Sequence, residues 1–373
     1  MGTAPEKITH VLVVDDSAFM RKAITMMLES DPGIKVVGTA RDGEEGIEKV
    51  KLLKPDLVTM DIEMPRMDGL TALREIMNSE PTPVMMVSSI TTEGAQATLE
   101  ALDLGAVDFI PKQMSYVSLD IVKIKDDLLA KIKDIARRKH LLMSQYRQRQ
   151  FGRLGRSSGS TSTGAKKPQM AQSDSPPRFI RKRQHQVNII AIGSSTGGPP
   201  ALQAVLTRLP RNLPAGVVVA QHMPPTFTKS LADRLNSLSQ LTIREAADGD
   251  KIEPGVVLIA PGGQHLTVRK QGVGSYVVIS SEPSTTLYKP CVDIMVNSVA
   301  ELYGRATMGV ILTGMGNNVV HGMQNVKGKG GVIIAQNEES CVVYGMPRAV
   351  IEAGIADHVA SIEDVASEIT SYF

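Results

Sequence analysis

Val187-Asn188-Ile189-Ile190-Ala191-Ile192-Gly193-Ser194-Ser195-Thr196-Gly197-Gly198-Pro199-Pro200 decides how this chain is read. An aliphatic, β-branched run enters a serine bracketed by glycines, and two prolines of the kind that open helices follow. The pattern predicts a buried strand, a tight turn and a helix. Gly193 to Gly197 fits G-x-S-x-G, whose small neighbours permit a sharp turn that lifts the serine hydroxyl off the sheet and brings backbone N–H groups to an oxyanion. The serine so presented is Ser195. A plain turn or a phosphate cradle has the same composition, although the stretch matches neither G-x-G-x-x-G nor G-x-x-x-x-G-K-[ST]. The rest of the chain has to choose between them.

With 373 residues, two cores of ordinary size are expected. The hydrophobic fraction of 42% and the charged fraction of 21% are those of a soluble globular protein. Trp is absent and aromatics make up 3%, so stacking on nucleic-acid bases has little to work with. Two cysteines, Cys291 and Cys341, form neither a disulfide framework nor a metal-ligand spacing, which suits a reducing cytoplasm. No stretch approaches the ~20 apolar residues that span a bilayer, and neither membrane insertion nor a signal segment is expected. The net charge of +2 is uneven: from Arg137 to Gln186 there are 13 Lys/Arg and one acid, giving +12 there and −10 elsewhere. Prolines and the run Ser157 to Gly164 mark residues 136–186 as a basic linker, a solvated tether more than a nucleic-acid site.

Residues 8–135 alternate strand-like runs (His10–Val14, Ile34–Ala40, Asp56–Met60, Pro83–Ser88, Val107–Ile110) with helical periodicity, a (βα)5 unit. Right-handed crossovers make the strands parallel and gather their C-terminal ends on one edge. Asp15 and Asp16 follow the first strand, Asp61 the third, Ser88 the fourth and Lys112 the fifth. Any one of the acids reads as a helix cap, but five polar residues at these ends read as a site. Converging carboxylates repel unless a hard cation sits among them, and Mg²⁺ with a lysine suits phosphoryl transfer to a carboxylate.

Val11 to Ser17, Met60 to Gly69 and Gly105 to Lys112 resemble the defining stretches of a two-component receiver domain, which implies a flavodoxin-like fold. The resemblance implies that Asp61 accepts phosphate from a histidine kinase, that Asp15 and Asp16 help bind Mg²⁺, and that Ser88 and Lys112 sense the phosphoryl group.

In residues 187–373, Gly216 to Gln221 forms a second buried strand ending at His222, and Met308 to Leu312 a third ending in Thr313-Gly314-Met315-Gly316-Asn317-Asn318. Strand ends on one edge of a parallel sheet bring together a nucleophile, a general base and a glycine-rich loop. His265 is a second candidate base. These stretches, with Ala260-Pro261-Gly262, Lys289-Pro290-Cys291-Val292-Asp293 and Tyr344-Gly345-Met346-Pro347, resemble the catalytic domain of the chemotaxis protein-glutamate methylesterase (CheB) family. That family hydrolyses glutamate methyl esters on chemoreceptors and often deamidates receptor glutamines. The resemblance implies a doubly wound, mostly parallel α/β domain, Ser195 as nucleophile, His222 as base, a backbone N–H in the Met315 loop for the oxyanion, and no cofactor in this domain.

One position departs from the family: its third triad member is Asp, whereas Asn318 stands here. A carboxylate fixes the imidazole tautomer and stabilises the imidazolium, and Asp→Asn in a serine protease loses ~10⁴ in kcat. Asp293 is an alternative partner for His222. The expectation is therefore a cytoplasmic, two-domain α/β enzyme, a phosphorylation-gated methylesterase acting on methylated chemoreceptors, whose receiver covers the cleft until phosphorylated. The competing expectation is a receptor-binding regulator that has lost its chemistry with Asn318. A DNA-binding regulator is disfavoured, because no helix-turn-helix pattern is present and the basic charge lies in the linker.

Overall fold

A computed structural model describes residues 8–112, 120–154, 186–286 and 288–373. The first unit runs β1 (Thr9–Val14), α1 (Ala18–Leu28), β2 (Ile34–Ala40), α2 (Gly43–Leu53), β3 (Leu57–Asp61), α3 (Gly69–Ser79), β4 (Val84–Ser88), α4 (Thr92–Leu104), β5 (Asp108–Pro111) and α5 (Asp120–Arg137). Its strands order as β2-β1-β3-β4-β5, all parallel. Strand order reverses between β1 and β3, and the crevice outside such a reversal is where open α/β sheets place their ligands. The helices start where the sequence supplies caps: Ser17, Asp42, Asp68 and Thr91 each accept a backbone N–H of the first turn. On α5 the apolar stripe packs inward as its period requires, with Leu128, Ile132 and Ile135 buried.

The segment expected as linker begins with a helix, α6 (Lys139–Leu154), on which Leu142 and Met143 are buried. The Ser/Gly/Pro-rich run of residues 155–185 lies outside the described residues.

The second unit runs β6 (Ile189–Ser194), α7 (Gly198–Leu206), β7 (Gly216–Gln221), α8 (Phe227–Leu238), β8 (Thr242–Glu245), β9 (Val256–Ile259), β10 (His265–Gln271), β11 (Gly274–Ser280), α9 (Val292–Tyr303), β12 (Thr307–Ile311), α10 (Val320–Gly328), β13 (Val332–Gln336), α11 (Met346–Glu352), β14 (His358–Ala360) and α12 (Val365–Thr370). Seven strands form one parallel sheet, β14-β13-β12-β6-β7-β9-β8, beside an antiparallel hairpin of β10 and β11. The chain leaves β6 toward β7 and later returns to pair β12 on its other side. Strand order therefore reverses at β6, directly behind Ser195. The central strands are buried on both faces, which is why they read as continuous Val/Ile runs. Among the described residues no helix is long and apolar enough to cross a membrane.

The two units share an apolar core. Helix α4 packs on α7 and α8, Phe109 on β5 stacks on Phe227 with ring centroids 4.7 Å apart, and Asp103 forms an ion pair with Arg234. Helix α6 and the residue before it touch both units: Lys139 donates to the Pro55 carbonyl at 2.6 Å, and Arg138 donates to the Cys341 carbonyl at 3.1 Å. Phe227 is fully buried at this seam. Replacing it with alanine is expected to destabilise the chain by about 3–5 kcal/mol, read by denaturant unfolding.

Candidate active and phosphoryl sites

Four of the polar residues at the strand ends of the first unit, Asp15, Asp16, Asp61 and Lys112, come together. Carboxylate oxygens of Asp15, Asp16 and Asp61 lie within 4.8 Å of one another, with Asp15 and Asp61 buried and Asp16 exposed. Lys112 Nζ donates to Asp61 Oδ2 at 2.5 Å and stands 3.8 Å from Asp15 Oδ2. Burial, opposed by the Lys112 ammonium, pushes the Asp61 carboxyl up to about 6, and burial raises Asp15 as well. Asp15 Oδ2 is buried without a hydrogen-bond donor among the described residues. An all-oxygen cluster with a buried, underused carboxylate oxygen fits a hard divalent cation such as Mg²⁺. Ser88 Oγ accepts from Thr98 Oγ1 at 2.7 Å and donates to the Gly94 carbonyl at 3.1 Å, which ties it to α4.

The raised Asp61 has a consequence for stability. Its folded-state affinity for a proton exceeds that of the unfolded chain, so its contribution is fully present below about pH 4 and is lost as pH rises through about 6. Asp61→Asn is therefore expected to stabilise the metal-free chain at pH 8 by about 3 kcal/mol and to change little at pH 4. Thermal unfolding at the two pH values in chelator checks this; an equal effect at both contradicts it.

In the second unit Ser195 follows β6 and His222 follows β7. The strands pair with Ser194 opposite Gln221, and the His222 N–H donates to the Ser194 carbonyl at 3.1 Å. Both residues thus leave the sheet at the same level of one edge. On the other side of β6, the Ser195 N–H donates to the Thr313 carbonyl at 3.0 Å. A side chain at Gly314 would put its Cβ 2.8 Å from Ser195 Cβ, so only glycine lets the β12 exit loop, with Met315, lie against the serine.

Buried glutamines, which the sequence reading missed, hold these ends. Gln221 accepts from Ser194 Oγ at 2.6 Å and donates through Nε2 to the carbonyls of Ser195 (2.9 Å) and His222 (3.2 Å). Gln336 accepts the Thr313 N–H at 2.7 Å, while Thr313 Oγ1 donates to the Thr196 carbonyl at 2.9 Å. A Cβ at Gly198 would lie 1.9 Å from Gln221 Oε1, so the second glycine before Pro199 makes room for the clamp. A glutamine ending a valine-rich strand was the available signal, since a buried amide requires partners.

Asn318 lies on the β12 exit loop with Met315, half-buried, and its Oδ1 is buried without a hydrogen-bond partner among the described residues. Asp293 accepts the Gly322 N–H at 2.7 Å in the first turn of α10, and burial raises its carboxyl. His265 is fully buried: Nδ1 accepts the Cys291 N–H at 3.2 Å, and Nε2 lies 2.9 Å from Thr286 Oγ1 and 3.2 Å from the Pro283 carbonyl. Burial lowers its proton affinity. The ring thus anchors a segment at Pro283, Thr286 and Cys291, and both ring nitrogens are taken up by them. Within that segment Tyr288 stacks on His222, ring centroids 4.6 Å apart and planes 10° from parallel.

Residues 11–121 match the response regulator receiver domain family, and residues 190–369 match the CheB methylesterase family. A protein-glutamate methylesterase/protein-glutamine glutaminase of Nitratidesulfovibrio vulgaris is 50% identical over 359 residues, covering 96% of this chain and 98% of that protein. A relative of the same name from Lawsonia intracellularis is 47% identical, covering 98% of this chain and 99% of its own length. The crystal structure of the Thermotoga maritima CheB methylesterase catalytic domain is 44% identical, covering 50% of this chain and 99% of that one at a TM-score of 0.49. With a receiver joined to an esterase unit along nearly the whole length of such relatives, the chain belongs to the protein-glutamate methylesterase/protein-glutamine glutaminase family.

Proposed function

We propose that this protein hydrolyses glutamate methyl esters on chemoreceptors in the cytoplasm, under control of phosphorylation at Asp61 by a chemotaxis histidine kinase. The observation that carries the reading is the pairing of β6 with β7, which delivers Ser195 and His222 to one edge at the same level. Ser195 Oγ attacks the ester carbonyl while His222 takes its proton. Collapse of the tetrahedral intermediate expels the methoxy group, which receives that proton and leaves as methanol. Water then attacks the acyl-enzyme with His222 again as base, restoring the serine and releasing glutamate. Because the Ser195 N–H is committed to Thr313, the oxyanion donors in this reading are the amides of Thr196 and Met315.

Asn318, whose Oδ1 is buried without a hydrogen-bond partner among the described residues, stands at the third position and in this reading would offer the imidazole a carbonyl oxygen without contributing charge. Methyl esters have better leaving groups than amides, so ester hydrolysis tolerates this loss more readily than glutamine deamidation does. In the receiver, Asp15, Asp16 and Asp61 would hold Mg²⁺, which supplies charge neutralisation for the incoming phosphoryl oxygens. The gating is supported by the placement of α4 on α7 and α8, the helices that directly follow the Ser195 and His222 loops.

The second reading, a receptor-binding regulator without turnover, is favoured by one observation, the uncharged residue at position 318. Methanol release from a methylated receptor, with Ser195→Ala as blank, separates the two. The enzyme reading expects release above the blank that rises with a small phosphodonor and does not respond to it in Asp61→Asn. Asn318→Asp is expected to raise kcat by about 10²-fold or more at nearly constant KM. Release equal to the blank in the parent, restored by Asn318→Asp, assigns the chain to the second reading.

A further inference from the structure

The triad has an uncharged third member, yet the imidazole carries a full positive charge whenever it holds the serine proton. Asn318 at the third position has only a neutral carbonyl dipole to offer, and its Oδ1 has no hydrogen-bond partner among the described residues, so part of the stabilisation a carboxylate gives must come from elsewhere or be forgone. The face of an aromatic ring is the negative end of its quadrupole and attracts a cation within about 6 Å of the centroid. Tyr288 presents such a face to His222, nearly parallel and 4.6 Å away.

This contact is built, not incidental. Tyr288 sits on a segment anchored at several points: Thr286 Oγ1 and the Pro283 carbonyl on His265 Nε2, and the Cys291 N–H on His265 Nδ1. Further ties run from the Gly263 N–H to the Lys289 carbonyl at 3.0 Å and from Lys289 Nζ to the Ser281 carbonyl at 2.7 Å. His265 itself is completely buried, so these bonds are shielded from water. The segment holds one aromatic residue, in a chain where aromatics are 3% of the total, and it lies flat on the candidate base.

We propose that Tyr288 is a positioning residue for His222: its ring fixes the plane of the imidazole and stabilises the imidazolium formed as Ser195 attacks, compensating in part for the missing carboxylate at Asn318. This rests on the reading of Ser195 and His222 as nucleophile and base, and extends it to a residue outside the triad.

The test uses the full chain and acylation of Ser195 by p-nitrophenyl acetate, a probe that needs no receptor. Tyr288→Phe should stay within about twofold of the parent, and Tyr288→Leu should acylate about 3- to 10-fold more slowly with KM little changed. Pentafluorophenylalanine at 288 keeps the shape of phenylalanine and removes the negative ring face; it should acylate more slowly than Tyr288→Phe, a difference that packing alone does not produce. In the Asn318→Asp background the loss from Tyr288→Leu should shrink to about twofold or less, because the carboxylate takes over the charge. Equal rates for the phenylalanine and pentafluorophenylalanine proteins, or the same loss in both backgrounds, overturn the proposal while leaving the esterase reading intact. Acylation that Ser195→Ala does not reduce overturns both.

Discussion

The pairing of β6 with a parallel neighbour on each side is the constraint on which the esterase unit depends. Gly193 lies opposite Ala220 on β7 and opposite Ile311 on β12, so the three strands leave the sheet at one level. A slip of one residue would turn every side chain on β6 to the other face and take Ser195 away from both loops. The register is secured beyond the last strand residue by two backbone bonds, His222 N–H to Ser194 and Ser195 N–H to Thr313. Those bonds make the serine turn a continuation of the sheet, so the hydroxyl is placed by the same forces that hold the core.

Polar groups had to be buried to do this, and the structure shows how their desolvation is offset. Gln221 is 2% exposed and Gln336 is 1% exposed, yet each amide is satisfied by backbone and hydroxyl partners at the strand ends. A buried amide left half-paired costs about 1–3 kcal/mol, so these networks favour one arrangement of the loops over near alternatives. Small residues complete the device: glycine at 198 admits the Gln221 side chain, and glycine at 314 admits the serine. The receiver site works oppositely. There the carboxylates of Asp15 and Asp61 are buried beside Lys112, the ionised forms are penalised, and while Ser17, Glu63 and Lys112 bond three of their oxygens, Asp15 Oδ2 is left without a donor among the described residues, which suits a cation.

Much of this was legible in the sequence. The strands and helices of the first unit follow from period and caps, and Asp15, Asp16, Asp61, Ser88 and Lys112 were placed by strand ends alone. Ser195 and His222 were legible for the same reason, each ending a buried aliphatic run. What was not legible depends on tertiary contact. Short strands such as β8, β9 and β14 carry too few residues to show a period, and turn-rich composition concealed the β10–β11 hairpin. His265 has the residue type of a base, but its ring is consumed by the Cys291 N–H and the Thr286–Pro283 turn. Tyr288 lies far from His222 along the chain, and only the fold brings the rings together. The start of the basic segment at Lys139 is helical because Leu142 and Met143 have an apolar surface to cover, which composition does not reveal.

In the proposed gating, phosphorylation at Asp61 would reach the serine turn along packed contacts, and α4 offers one route. Ser88 is tied to that helix by Thr98 and the Gly94 carbonyl, so any partner that draws its hydroxyl toward Asp61 competes with bonds of 2.7 and 3.1 Å. Helix α4 also rests on α7 and α8, whose first turns begin a few residues after Ser195 and His222. Phe109, three residues before Lys112, stacks on Phe227 at the first position of α8. Lys112 itself bonds Asp61, so β5 offers a second connection from the phosphoryl site to the same helix. Two sets of contacts, Asp103 to Arg234 from α4 and Phe109 to Phe227 from β5, therefore meet on α8, and in the proposed gating this close-packed seam would carry a shift of either one toward the His222 loop.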